Sequence, residues 1–590
     1  MKRHSSPTGK SQNQAAAAQA KKHGRKNLRG SAVAGEGLIP FVRDWPPLRS
    51  CVLLTVVTLL CLVPFSGRAF HIDDPLFVWA AKQIVNHPSD PYGFKLVWYK
   101  MAEPMSAVTK NPPLASYYGA VVGYFAGWSE RAFHLAFLLP ALGIILGTYR
   151  LARRFCRTPL LAAAAALLTP GFLVSAGTVM CDTMMLAFWI FAIIFWIDGL
   201  EPIKPLYLSA AGLMIAAGAL TKYFGMSLIP LLLVYTLVRQ RRLGSWAWFF
   251  LIPVVVLAGY QMWTGAYYGR GLLLDAAQYA SSFQGTENVS TLAKGLVCLG
   301  FIGGCMLPAL TFAPVLWSRV VILIGAMLSG CAALVIGMDW ANAGALVAPD
   351  HGGLVGLQLA LFLAGGGCVL ALAAADIWKW RDANSLLLIL WVLGTLLFAG
   401  FFNWTVNIRS VLPLVPAASI ILVRRLEAVG ASPGYLCARL GVPLLVSGLL
   451  SLWVAWADAD LANSARRAAT LIQERAQSRP GAVWFQGHWG FQYYMEAFGA
   501  RPLDTSKKEL RPGDLLVIPE NNNNTFAIPA EVVASQETIE VAMHQGLATM
   551  NRNLGAGFYF YRWGPIPFVF GSVPPERYHL LRLAPLPGRK

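Results

Sequence analysis

From residue 51 to residue 456 the chain is a succession of apolar runs, most of them near 20 residues and separated by short polar or basic connectors. The first of them is CVLLTVVTLLCLVPF, residues 51–65. An α-helix of about 20 residues covers the hydrocarbon core of a bilayer. A water-soluble domain has no comparable way to cover so many such runs. Charged residues make up 13% of the chain and hydrophobic residues 56%, whereas soluble proteins carry about 25% charged residues. A β-barrel would need strands of about 10 residues that alternate in polarity, and these runs do not alternate. The sequence therefore predicts a polytopic α-helical membrane protein with about 13 transmembrane helices.

The predicted helices lie near 51–65, 131–149, 159–177, 183–199, 206–220, 224–238, 246–264, 293–317, 319–338, 353–375, 385–402, 411–423 and 439–456. Three regions follow. Residues 1–46 are polar, basic and rich in Ala, Gly and Ser, and read as a disordered cytoplasmic tail. Residues 47–457 form the transmembrane domain, with a long first outer loop at about 68–128 whose LASYYGAVVGYFAGW stretch is expected to lie at the interface as a helix. Residues 458–590 are expected to form a small extracytoplasmic α/β domain, with AVWFQG and DLLVIP as short buried strands and NNNNT as a loop. The first apolar run is expected to stay as a helix, because no small-residue cleavage site follows it.

The net charge of +19 first suggests nucleic acid, but its distribution excludes that reading. Basic residues crowd into the N-terminal tail and into RLARRFCR, RQRR and Arg424-Arg425, the positive-inside pattern of a membrane protein. With the tail in the cytoplasm, every second helix ends inside, next to those connectors. Asp73, Asp74, Asp182, Lys222, Arg409 and the C-terminal domain then all fall on the outer face. The expected location is the bacterial inner membrane.

Ionisable groups at a membrane boundary are costly and usually functional. Asp73 and Asp74 follow the first helix directly. Adjacent helical residues point about 100° apart, so one can act as general base while the other positions a substrate or a cation. The competing reading is a helix cap, with Pro75 as first residue. Lys110 and Asn111 precede Pro112-Pro113, which fix an extended turn. Lys110 can meet a phosphate or snorkel to the interface. Asp182 precedes an apolar helix and reads either as its cap or as a cavity carboxylate. Lys222 and Arg409 are isolated cations at helix ends, either interface anchors or, for Arg409, a bidentate phosphate ligand. A divalent cation between Asp73 and Asp74 stays open, since the histidines show no metal spacing. His488, among the aromatics of WFQGHWGFQYY, reads as core packing.

The order of these elements resembles the GT-C membrane glycosyltransferases. The resemblance is to the protein O-mannosyltransferase and lipid A aminoarabinose-transferase-like superfamily. It rests on an acidic pair opening the first outer loop, a PPL element, the outer-end Met180-Cys181-Asp182, and Arg409 followed by Leu412-Pro413. By that resemblance Asp73 fills the catalytic acidic slot, Asp74 its neighbour, Asp182 the second acidic position and Arg409 the phosphate-side arginine. Lys110, Asn111 and Lys222 fall in substrate-binding positions. The implied donor is a polyprenyl-phosphate sugar. The implied acceptor is a lipid, glycan or protein hydroxyl, attacked directly with inversion. No P-loop or dinucleotide fingerprint is present. The alternative reading is a transporter or flippase for lipid-linked sugars.

Overall fold

The computed structural model describes residues 46–285, 289–340, 352–429, 433–477 and 481–584. The tail expected at 1–46 lies almost wholly outside the described residues. Among them, nine helices are long and apolar enough to cross a membrane, and a bent pair, Pro159–Leu167 and Pro170–Ala176, would make a tenth. Every one of the predicted runs is helical, and the exceptions to a full-length straight span are explained locally. The bent pair turns by 64° because Pro170 has no N–H to continue the ladder. The Leu168 carbonyl freed there accepts from Ser447 Oγ at 2.7 Å and Ser451 Oγ at 3.1 Å, as backbone at membrane depth requires. The run at 293–317 is divided into Thr291–Cys305, Leu307–Thr311 and Ala313–Leu316, with Pro308 and Pro314 at the breaks. The run at 411–423 is divided by a short 3₁₀ turn, Leu412–Leu414, before Val415–Val429.

The long loop at 68–128 contains the helix Asp74–Asn86, a small hairpin of Lys95–Val97 with Ala102–Pro104, and the helix Leu114–Ala126. The last of these exposes Val121, Tyr124 and Phe125. The final long helix, Pro433–Gln477, runs continuously past residue 457 into the C-terminal region.

That region carries a five-stranded sheet in the order Arg501–Pro502, Val483–Phe485, Leu515–Pro519, Glu576–Leu583, Val533–Val541. The first two pairings are parallel and the last two antiparallel. Alternation at period two sends Leu515, Val517, Tyr578 and Leu580 to one face. They pack there on Phe491 and Met495 of the helix Trp489–Ala497 and on Ile472 of the long helix.

The sheet is fastened to the outer loop. Tyr494 donates its hydroxyl to Glu130 at 3.0 Å and accepts from the Phe70 N–H at 2.8 Å. Gly490 packs so closely on this loop that an added Cβ would sit 2.1 Å from the Phe70 carbonyl oxygen. Asp458, fully buried on the long helix, takes Arg68 at 2.8 Å, the Tyr559 hydroxyl at 2.8 Å and the Thr549 hydroxyl at 2.9 Å. One carboxylate therefore joins the first loop, the last helix and the C-terminal chain.

Candidate active site

A cavity of about 640 Å³ lies between the loop at 68–128, the helix ends next to it and the C-terminal region. Asp73, Lys110, Asn111, Asp182, Lys222 and Arg409 all line it. Asp74 does not.

The acidic pair splits at a strained turn. Ile72 has φ +46°, a left-handed conformation that a β-branched residue adopts only when its surroundings force it. Asp74 is fully buried. Its carboxylate accepts from the His71 N–H at 2.8 Å and the Val179 N–H at 3.0 Å, so it ties the loop to the turn before Asp182. Burial pushes its pKa up to about 7, against the pull of those two N–H groups and the Arg68 charge. Asp73 keeps its carboxylate on the cavity, where it receives Arg409 Nη2 at 3.0 Å. Asp73 is the residue before the helix Asp74–Asn86, yet its side chain makes no capping hydrogen bond. The two carboxylates do not converge on a common point. Among the described residues no group of three or more His, Cys, Asp or Glu could hold a metal ion.

Arg409 sits in a single helical turn, Ile408–Val411, built around side-chain caps. Asn407 Oδ1 accepts from the Ser410 N–H at 2.8 Å and the Ser410 hydroxyl at 2.9 Å. Asn403 donates to that same hydroxyl at 2.7 Å. The C-terminal chain completes the support: the Ile408 N–H donates to the Phe558 carbonyl at 3.0 Å, and the Tyr561 N–H to the Val406 carbonyl at 3.1 Å. The guanidinium lies 5.7 Å from the Tyr559 ring centre, within cation–π range.

Beyond Arg409 the charges alternate. Its Nη1 lies 3.8 Å from Asp182 Oδ2, and Asp182 Oδ1 takes Lys222 Nζ at 2.5 Å. Asp182 falls in the first turn of Cys181–Leu200, where the helix dipole favours a carboxylate. It serves as a charge partner and makes no capping hydrogen bond. Arg409 Nε and Asp182 Oδ2 are buried without a hydrogen-bond partner. Lys110 stands apart from this ladder, paired with Asp275 at 2.8 Å and 4.9 Å from the Tyr279 ring centre. The Asn111 carbonyl accepts from the Tyr92 hydroxyl at 2.9 Å.

Sequence reasoning left several lining residues out. Phe224, Met226, Phe398 and Phe402 form an apolar wall, while Tyr99, His488, Trp489, Asn523, Asn524 and Tyr559 are contributed by the outer loop and the C-terminal domain. Burial, with the neighbouring Tyr279 and Asp73, raises the Tyr99 hydroxyl pKa. His488, read from the sequence as core packing, is indeed buried, and it also faces the cavity. Positive φ values at Trp489, +65°, and Asn524, +58°, are signals that only coordinates carry.

Residues 110–263 match the family model described as dolichyl-phosphate-mannose-protein mannosyltransferase. No curated protein sequence matches the chain. Solved structures that align with it include ArnT from Cupriavidus metallidurans bound to undecaprenyl phosphate, at 14% identity and a TM-score of 0.41, over 80% of this chain and 93% of that one. The apo form of the same protein aligns at 16% identity and a TM-score of 0.37, over 80% and 92%. The arabinofuranosyltransferase AftD from Mycobacteria aligns at 13% identity and a TM-score of 0.37, over 90% of this chain and 41% of that one. The matched segment contains Lys110, Asn111, Asp182 and Lys222 and stops short of Arg409; over residues 110–263 the chain carries the sequence pattern of that mannosyltransferase family.

Proposed function

We propose that this protein is a membrane glycosyltransferase that moves a sugar from a polyprenyl-phosphate donor to an acceptor hydroxyl on the extracytoplasmic face. The observation that carries the reading is the Asp73–Arg409–Asp182–Lys222 ladder in a cavity that Phe224, Met226, Phe398 and Phe402 also line. The match of residues 110–263 to a family named for a lipid-phosphate sugar donor supports the same chemistry.

In this scheme the lipid chain lies against Phe224, Met226, Phe398 and Phe402, and the phosphate meets Arg409. Asp73 accepts the proton of the acceptor hydroxyl as its oxygen attacks the anomeric carbon. The bond from that carbon to the phosphate oxygen breaks, and its electron pair leaves with the lipid phosphate. Arg409 and Lys222 meet the charge that grows there, in a cavity of low dielectric where fixed cations act strongly. Asp182 holds both cations in place between turnovers. Attack opposite the leaving group inverts the anomeric centre. Lys110 and Asn111, at the mouth of the PPL turn, bind the donor's sugar phosphate in the same scheme. Asp74 acts through the backbone: it fixes the turn that presents Asp73. The N-terminus is cytoplasmic, the membrane is the bacterial inner membrane, and the C-terminal domain is extracytoplasmic.

Asp73→Asn keeps the shape of the side chain and removes its basicity. The expected loss is at least ~10²-fold in transfer rate, the usual scale for a general base. Purified protein in nanodiscs with a radiolabelled polyprenyl-phosphate sugar measures it. Transfer by Asp73→Asn at the wild-type rate overturns the assignment, and retention of the product's anomeric configuration overturns direct displacement.

A further inference from the structure

The geometry points to a carbohydrate-binding subsite for the acceptor, built on the cavity wall by Trp98 of the first loop and by His488, Trp489, Asn523 and Asn524 of the C-terminal domain. It rests on the glycosyltransferase reading for the word acceptor, and on its own observations for the word carbohydrate.

The cavity is chemically divided. The membrane helices contribute Phe224, Met226, Phe398 and Phe402 beside the charged Asp182, Lys222 and Arg409. The wall formed by the outer loop and the C-terminal domain presents aromatic faces flanked by side-chain amides. Trp98 and His488 stack with ring centres 4.6 Å apart and planes 26° from parallel. Trp489 stands edge-on to His488, with ring centres 5.0 Å apart. The polar groups are fixed rather than merely present. The Asn524 amide lies 2.9 Å from His488 Nδ1, and the Asn522 carboxamide receives the His488 N–H at 3.0 Å while donating to its carbonyl at 3.1 Å. Burial drives the His488 pKa down to about 3, opposed by a hydrogen bond to the Trp98 backbone. The ring is therefore neutral at physiological pH and adds no charge to this wall.

Two features single out recognition over packing. Trp489 holds φ +65°, a strained conformation for a bulky residue, of the kind that persists where surrounding structure over-determines it and that clusters at ligand sites. The chain accepts this strain at the residue whose ring faces the cavity. The Asn523 side chain, in the same loop, makes no hydrogen bond among the described residues and lines the cavity, with two donors and an acceptor to offer. A sugar has matching needs. Its C–H face lies on an aromatic ring, whose π face is negative, and neighbouring hydroxyls pair with a carboxamide that both donates and accepts. A lipid acceptor would leave the Asn523 carboxamide against apolar chain with no partner.

Equilibrium dialysis of radiolabelled oligosaccharides against the full chain in nanodiscs tests the subsite. The probes are a mannan, an arabinan and an N-acetylglucosamine oligosaccharide, with a Ser/Thr-rich peptide as control. At least one oligosaccharide is expected to bind in the millimolar range or tighter. Asn523→Ala and Trp489→Ala are each expected to weaken it 5-fold or more, and Trp489→Phe to recover part of the loss. Equal oligosaccharide binding by wild type and Asn523→Ala overturns the subsite. So does the absence of binding by any of the three, or a peptide that binds and is lost in the same variants. Undecaprenyl phosphate binding is measured in parallel. If the wild type fails to bind that lipid while still binding sugar, the glycosyltransferase reading falls and the carbohydrate site stands.

Discussion

Arg409 is buried on a wall shared by two carboxylates, and its guanidinium fork fits both a carboxylate and a phosphate. Lysine keeps the charge but not the fork. Arg409→Lys is therefore expected to weaken undecaprenyl phosphate binding about 10-fold, or about 1.4 kcal/mol, in a direct binding assay in nanodiscs. Asp458 behaves differently. It does not line the cavity, and its value is structural: it neutralises the buried Arg68 and takes two hydroxyls. Asp458→Asn leaves an uncompensated buried cation, which costs about 3–5 kcal/mol. A fall in thermal unfolding midpoint at a fixed scan rate checks this, and the double variant with Arg68→Met is expected to regain much of it. Asp73 and Asp74 carry a related lesson. Both were legible as unusual because carboxylates are rare beside an apolar run. Their division of labour was not, because the second partner of Asp74, the Val179 N–H, lies 105 residues away.

Among the elements, the loop Asn521–Asn524 joins the C-terminal sheet to the cavity. Asn521 donates to Glu576 at 2.8 Å and to the Met550 carbonyl at 3.0 Å. Glu576 is buried, and burial raises its pKa from 4.5 to about 8, with the Asn521 bond pulling the other way. A raised acid pKa in the fold means that the folded state binds the proton more tightly. Its contribution to stability is present below about pH 4.5 and is lost as pH rises through 8. Wild type is therefore expected to unfold at a lower temperature at pH 9 than at pH 6, and Glu576→Gln to flatten that difference. Thermal scans at the two pH values check it. The strands themselves were readable as the short apolar runs of AVWFQG and DLLVIP. The NNNNT loop was readable only as a loop, since asparagines in a polar segment give no contrast to show which of them faces a ligand.

On the scale of the whole molecule, the cavity is closed by two parts of the chain that the sequence keeps far apart. Met550, Tyr559 and Phe560 line it from the C-terminal side, and the backbone of 558–561 holds the turn that carries Arg409. A chain ending at Gln477 lacks those supports and the partners of Asp458. Such a truncation is expected to lose sugar transfer altogether and to unfold at a lower temperature, whereas a separable accessory domain would leave transfer measurable. The radiolabelled donor assay decides between these outcomes.

The apolar runs alone determined that this chain needs a bilayer, that it crosses as helices, and which positions are expensive enough to require a purpose. These are local properties, set by some twenty consecutive residues against a slab of fixed thickness. Tertiary structure alone decided which charges meet. Arg409 reaches Asp73 across 336 residues of sequence, the cavity takes its second wall from a domain that hydropathy cannot orient, and Asp74 turns inward while its neighbour turns out. Those outcomes depend on how separate helices pack and on which buried polar groups find partners, information that no single stretch of sequence contains.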